Sequence, residues 1–228
     1  MAQLKLQDII KTYTVGDQVI PAVRSVSLDI EKGAFLSIVG HSGSGKTTLL
    51  SMIGGITAPS SGTILFEDRN LASMGSDGLS EYRCDKIGFM FQFASLLPML
   101  TVQENLLLPT AFRHGRGAGE ALHLEKKASE LLRMVDLVDK INAYPAHLSG
   151  GQQRRVAIAR AFMNDPALIL ADEPTGDLDE KTEQAMMDFF KTMNQANAIT
   201  FIMVTHNTDL AKQTQRQLRM NQGTLQEQ

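Results

Sequence analysis

Tryptophan is missing from this chain and cysteine nearly so: Cys84 is the single thiol among 228 residues. One thiol makes no internal disulfide and, without a ligand companion, no thiolate metal cage, so a disulfide-stapled secreted scaffold is excluded and a reducing compartment is expected. Long apolar runs are lacking as well. The stretch "AITFIMV" is among the longest, far short of the roughly 18 residues that a membrane-crossing helix takes. The start, "MAQLKLQDII", alternates apolar and polar residues, with neither a basic leader nor a small-residue cleavage site, so no signal peptide is expected. There is no excess of basic charge: the formal net charge is -3. The arginine pairs are too dispersed to form a stripe, so no nucleic-acid partner is expected. Attachment to a membrane is therefore expected only through another protein.

What the chain does have is length for one substantial core and a regular succession of strand and helix patterns. "LKLQDIIKTY" and "RSVSLDIEKG" alternate in the manner of antiparallel strands with one wet face. "AFLSIVG", "PALILADE" and "AITFIMVTH" are more uniformly apolar and suit strands covered on both faces. "SSGTILFEDRN" reads as a turn and strand, and "IGFMFQ" as a short strand followed by the loop "FASLLPML". Helices are predicted over "KTTLLSMIGGI", stopped by Gly54, Gly55 and Pro59, and over "EKTEQAMMDFFKTMNQ". Thr101 and Glu104 have capping-box spacing, and helical patterning then runs through "HLEKKASELLRMVDLVDK". Between them "RHGRGAG", Arg113 to Gly119, reads as a surface link, either a basic patch or a solvated loop. The expected fold is α/β: a mostly parallel sheet, an N-terminal antiparallel β subdomain and an inserted helical subdomain. Residues 1–93 and 163–228 are assigned to the core and 94–162 to the insert.

The loop "GHSGSGKTT" meets the pattern G-x-x-x-x-G-K-T/S, with Gly40, Gly45, Lys46 and Thr47 at the fixed positions, between a buried strand and a helix. Glycines let the backbone curl so that N–H groups of His41, Ser42, Gly43, Ser44 and Thr48 point at phosphate oxygens, and the helix N-terminus adds its dipole. Lys46 is expected to bridge the β- and γ-phosphates, and the Thr47 hydroxyl to be a hard ligand for Mg²⁺. "ALILADE" supplies the complementary acids: Asp172 and Glu173 emerge at the C-terminal end of a strand, where open α/β sheets bind ligands. Asp172 suits Mg²⁺ and Glu173 suits accepting a proton from an attacking water.

A second bare backbone opens the helix in "LSGGQQRRVAIARAF", Leu148 to Phe162. Ser149, Gly150 and Gly151 offer unblocked N–H groups and a hydroxyl, which makes another anion site. One nucleotide loop does not need two phosphate cradles.

With the phosphate loop, the "FQ" loop, "LSGGQ", "LILADEP", "TGDLD" and "VTH" in this order, the chain resembles the ATP-binding cassette (ABC) ATPases over essentially its whole length. The resemblance implies ATP and Mg²⁺ as ligands and a head-to-tail homodimer, in which Leu148, Ser149, Gly150, Gly151 and Gln152 close over the partner's nucleotide. It also implies that Gln92 approaches Mg²⁺ and the attacking water, and that His206 contacts the γ-phosphate and orders Glu173. Asp177, Leu178 and Asp179 would cross the dimer interface. Tyr13 stands where the family stacks adenine, although a strand tyrosine also serves sheet packing. Three positions depart from the commonest pattern: His41 replaces a frequent proline, Thr47 a frequent serine and Asn207 a frequent acid. Thr47 keeps its hydroxyl. Asn207 places an uncharged amide beside His206.

Within that family, "IGFMFQFASLLPMLTVQENLLLP" and "SMIGGITAPSSGTI" look like the LolD/MacB lipoprotein-release and macrolide-efflux group. That likeness implies a separate inner-membrane permease of the MacB, LolC or LolE type, with a periplasmic adaptor reached through it, and a place on the cytoplasmic side of that membrane. Ala94 to Leu100 either meets the permease or tucks onto the helical insert. An FtsE-like ATPase, switching a division partner without moving a solute, shares the motifs and stands as the alternative.

Overall fold

The computed structural model describes residues 2–113 and 120–227. The link predicted at Arg113 to Gly119 lies, from residue 114 onward, outside the described residues. The chain opens with a long hairpin, β1 (Ala2–Val15) and β2 (Gln18–Glu31), followed by β3 (Phe35–Val39), α1 (Lys46–Ile53), β4 (Ser61–Phe66) and β5 (Arg69–Asn70). Then come α2 (Gly75–Asp85), β6 (Ile87–Met90), α3 (Val102–Leu107), α4 (Ala121–Met134) and α5 (Gly150–Arg160). The remainder is β7 (Leu168–Asp172), α6 (Glu180–Asn197), β8 (Thr200–Thr205), α7 (Thr208–Ala211) and a closing hairpin, β9 (Arg216–Asn221) and β10 (Thr224–Glu227).

These strands make two sheets. The first is antiparallel, in the order β2-β1-β4-β5; the second runs β10-β9-β3-β8-β7-β6. In the second sheet β3, β6, β7, β8 and β9 run parallel to one another, and β10 is antiparallel to β9. The predicted α/β architecture is therefore what the chain adopts.

The uniformly apolar strands are buried on both faces because successive side chains serve different cores. Leu36, Ile38, Leu168, Leu170, Ile202 and Val204 face the antiparallel sheet and α1, in a cluster with Leu4, Ile9, Ile30 and Leu49. The alternate residues Phe35, Ile169, Ala171, Phe201 and Met203 face the helices, where they join Val102, Leu106, Leu132, Val156, Phe162 and Phe190. Helices α3, α4 and α5 thus share a core with the parallel sheet rather than enclosing one of their own.

Several boundaries differ from the sequence reading. The helix expected to run through Lys140 stops at Met134, because Asp136 takes a left-handed conformation, φ 56°, and the chain resumes as a single 3-10 turn over Val138–Lys140. Helix α2 was not anticipated; it contains two glycines and buries one side chain, Tyr82, so it carries no apolar stripe to read. The β9–β10 hairpin was also missed. Its turn places Gln222 and Gly223 at φ 45° and 83°, the paired positive values of a type I′ connection. The capping box at Thr101 is present in both halves: Glu104 N–H donates to the hydroxyl and the Glu104 carboxylate accepts from Thr101 N–H.

Parallel register carries four strand ends to one edge. Val39 pairs with Thr205, Asp172 with Val204 and Met90 with Ala171. Everything that follows β3, β6, β7 and β8 therefore opens on the same crevice.

Candidate active site

The loop between β3 and α1 curls against two other segments, which fixes its glycines. A Cβ at Gly40 would strike the carbonyl oxygen of Met220 on β9. At Gly45 the backbone is left-handed, φ 105°, and a Cβ would strike the carbonyl of Ala22 on β2, so only glycine combines that conformation with that approach. Lys46 is buried and its Nζ donates to the Gly40 and His41 carbonyls at 2.7 and 2.9 Å. Burial lowers its pKa, against the opposing charges of Glu173 and Asp172.

Across the crevice Thr47 Oγ1 donates to Asp172 Oδ2 at 2.8 Å. Burial raises the Asp172 pKa; the Thr47 hydrogen bond opposes that rise and the neighbouring Glu173 charge adds to it. Glu173 has a left-handed backbone, φ 47°, a strained conformation for a non-glycine residue and one concentrated at functional sites. Its carboxylate is held from two sides: Oε2 accepts from Thr205 Oγ1 at 3.0 Å, and Oε1 accepts from the His206 N–H at 2.9 Å. Nδ1 of His206 lies 2.8 Å from the same Oε1. The imidazole is 74% exposed and the carboxylate 16%, so the ring covers the acid from the solvent side.

Together these groups line a cavity of about 640 Å³ with His41, Ser42, Gly43, Ser44, Gly45, Lys46, Thr47, Thr48, Gln92, Asp172, Glu173, Asp177 and His206 on its walls. Ser44 Oγ is buried there without a hydrogen-bond partner among the described residues. A buried hydroxyl in that condition asks for an acceptor or donor from a ligand, and a phosphate oxygen satisfies it. Thr47 and Asp172 supply two adjacent hard oxygens, and no group of three or more His, Cys, Asp or Glu suited to a metal occurs among the described residues. That donor set fits Mg²⁺, which completes its shell with water and substrate phosphates rather than a protein cage.

A profile of the ABC transporter family matches residues 23–176. The chain belongs to that family. It is 41% identical to a lipoprotein-releasing system ATP-binding protein LolD of Myxococcus xanthus over 228 residues, all of both chains. The macrolide export ATP-binding/permease protein MacB of Rhodopirellula baltica is 39% identical over 98% of this chain, which spans 32% of that longer protein. Among solved structures, the dimeric post-hydrolysis state of an ATP-binding cassette of Methanocaldococcus jannaschii, bound to ADP and Pi, superposes with a TM-score of 0.92 at 40% identity, covering 98% of each chain.

Other cassette residues named from the sequence stand away from this cavity. Ser149 caps α5, its hydroxyl accepting from Gln152 N–H while the Gln152 side chain accepts from Ser149 N–H. Gly150 has open space beside it, Gly151 packs near Leu178, and Leu148 is buried. Tyr13 pairs with Ile20 across the hairpin, with Lys11 Nζ 5.2 Å from its ring centroid. Asp179 caps α6 by accepting from Thr182 N–H and Oγ1, which lowers its pKa. Asn207 caps α7 through Asp209 and Leu210 N–H. A polar residue that departs from the commonest pattern thus has a local backbone duty.

Sequence reasoning passed over Ala22, Phe93, Gly176 and Arg154, which also line the cavity, and Thr205, which holds Glu173. Arg154 had a readable signal. It stands one turn before Ala157 and Ile158 on the buried face of α5, a place where an arginine needs partners.

Proposed function

We propose that this chain is the ATP-hydrolysing subunit of an ABC transporter, acting as a head-to-tail dimer that drives a separate membrane permease. The observation that carries this reading is the convergence of Lys46, the Thr47–Asp172 pair and the Glu173–His206 pair on one strand edge. Lys46, already turned toward the carbonyls of its own loop, holds the β- and γ-phosphates with the loop N–H groups and Ser44. Thr47 and Asp172 hold Mg²⁺, with Gln92 beside them. When bound, the metal supplies charge that neutralises the phosphate oxygens in transfer. Glu173, fixed by Thr205 and His206, takes the proton from the attacking water. His206 covers that carboxylate and meets the γ-phosphate from the rim. Ser149, Gly150 and Gly151, open and away from their own cavity, cap the nucleotide of the second subunit; Asp177, Leu178 and Asp179 lie beside them at the interface.

The permease part of the reading draws on the LolD and MacB likeness and on a groove of about 430 Å³ beside β6. Ile87, Phe89, Phe91, Leu108, Pro109 and Phe112 line it with Arg83 and Arg160. Phe91 and Phe112 of that lining are exposed, an apolar surface of the kind that partners cover. Within Ala94 to Leu100, Leu96 packs on the helical core while Leu97 and Met99 are exposed, which leaves those two side chains open to a permease. Arg160 fixes that loop by donating to the Ala94 and Ser95 carbonyls. No helix among the described residues is long and apolar enough to cross a membrane. Residues 1–93 and 163–228 are the core of the proposed subunit and 94–162 its helical insert, joined to the parallel sheet through a shared apolar cluster.

The test is purification of tagged Glu173→Gln protein from detergent-solubilised membranes with Mg-ATP, followed by mass spectrometry. A permease with a large extracytoplasmic domain supports the reading. Division proteins in its place support the regulatory alternative, and recovery of no membrane protein overturns both.

A further inference from the structure

Arg154 is 3% exposed, yet its planar fork reaches three residues on two separate segments of the chain. Nη1 donates to the Phe91 carbonyl at 2.6 Å, and Nη2 donates to the Glu173 carbonyl at 3.1 Å. Nη2 also lies 3.4 Å from Asp177 Oδ2. Phe91 immediately precedes Gln92, Glu173 is the hydrolytic acid of the proposed site, and Asp177 belongs to the loop assigned to the dimer interface. Burial lowers the Arg154 pKa, while Asp177, Asp172 and Glu173 oppose that shift. Nε is buried with no hydrogen-bond partner among the described residues. Packing alone does not account for such a group. Its carboxylate partner is 74% exposed, and an apolar side chain of similar volume would fill the same space without desolvating a charge.

The fork sits on α5, the helix that Ser149 opens. About five residues of rise, roughly 7.5 Å along a stiff rod, separate the capping serine from the arginine. The helix is continuous from Gly150 to Arg160, so a shift at its N-terminus is carried to position 154 rather than absorbed between them. At Arg154 a guanidinium, unlike a single ammonium, holds several acceptors in a fixed relative geometry. One of those acceptors is the carbonyl of Glu173, whose backbone is left-handed, so a small displacement there re-aims the carboxylate.

We propose that Arg154 is a positioning residue that couples the two nucleotide sites. When the Ser149 end of α5 engages the partner's nucleotide, Arg154 transmits that engagement to Glu173, Gln92 and Asp177 of its own chain. Each subunit then hydrolyses efficiently only after it has closed on its neighbour. This inference rests on the head-to-tail dimer reading.

The test uses Arg154→Met and Arg154→Lys in the full chain. Steady-state ATPase is measured against ATP concentration, nucleotide affinity with a fluorescent ATP analogue, and stability by thermal melting. Each change is also made in a Glu173→Gln background for sedimentation with Mg-ATP. The proposal predicts that kcat falls by about tenfold or more in both variants, as a small misplacement of catalytic groups produces. The KM for ATP and the analogue affinity stay within about threefold of the parent, since the loss lies in the transition state. The Hill coefficient falls from about two toward one, and the Glu173→Gln double variants still sediment as dimers. Should Arg154→Met fail to fold, Arg154→Lys, which keeps the charge, decides the matter. Parental kcat and Hill coefficient in Arg154→Lys would overturn the proposal, because charge without the fork would then suffice. Loss of the dimer in the double variants would overturn it too, since Arg154 would act on assembly. Failure of Glu173→Gln alone to dimerise refutes the dimer reading itself, a distinct result.

Discussion

Glu173 and Asp172 are adjacent on the chain but are asked for different chemistry, and their surroundings differ accordingly. Glu173 is braced by Thr205 and His206, so replacing it with glutamine keeps the shape and removes the proton acceptor of the proposed mechanism. Glu173→Gln should lower kcat by about 10²-fold or more, the usual contribution of a general base, with nucleotide affinity retained; a steady-state assay beside an ATP-binding titration checks this. Asp172 has a raised pKa, chiefly from burial. An acid whose folded pKa is raised binds its proton more tightly when folded, so its ionisation destabilises the fold as pH rises above the unfolded-state value. Asp172→Asn should therefore melt higher than the parent at neutral pH, and the gain should shrink as pH falls toward about 3.9, the ordinary aspartate value. The same variant should lose Mg²⁺-dependent turnover. Parallel thermal melts across pH, with an ATPase assay, test both halves. Lys46, Thr47 and Asp172 were legible because their spacing within loops follows strand patterns that the sequence displays. Arg154 shows only that an arginine falls on the buried face of a helix; which groups it meets is not legible, because two of them are main-chain carbonyls and a carbonyl has no letter in a sequence.

Elements were legible in proportion to how much of their burial pattern the chain displays. β3, β7 and β8 announce themselves by length and apolarity, and α6 by its stripe of Met186, Met187, Phe189 and Phe190. Helix α2 lacks such a stripe, and β9 is held by pairing with β3 more than by its own composition. Two element-scale predictions follow from packing and capping. Phe201 on β8 contacts the rings of Phe35, Phe162 and Phe190 and is 1% exposed, so Phe201→Ala should destabilise the fold by about 3–5 kcal/mol. Thr101→Ala removes half of the capping box on α3 and should cost about 1 kcal/mol. Denaturant titration separates the two: the first shifts the midpoint several times further than the second. A Phe201→Ala midpoint no lower than that of Thr101→Ala would mean that the ring cluster is not the centre of the helical-face core.

At the scale of the molecule, the parallel sheet divides two apolar clusters and brings four loops to one edge, while Ser149 and its glycines stand apart from the cavity those loops make. A single chain thus carries a phosphate cradle and, separately, an open helix N-terminus with no phosphate of its own to hold. Two copies arranged head to tail reconcile these features, and arresting hydrolysis should make the pairing persist. The most direct measurement is analytical ultracentrifugation of Glu173→Gln protein with and without Mg-ATP, alongside Glu173→Gln carrying Ser149→Arg. The account predicts a monomer without nucleotide, a dimer of twice the 25.0 kDa chain mass with Mg-ATP, and a monomer under both conditions when Ser149→Arg blocks the helix end. A Glu173→Gln protein that binds ATP and stays monomeric, or a Ser149→Arg protein that dimerises as well as its parent, would contradict it.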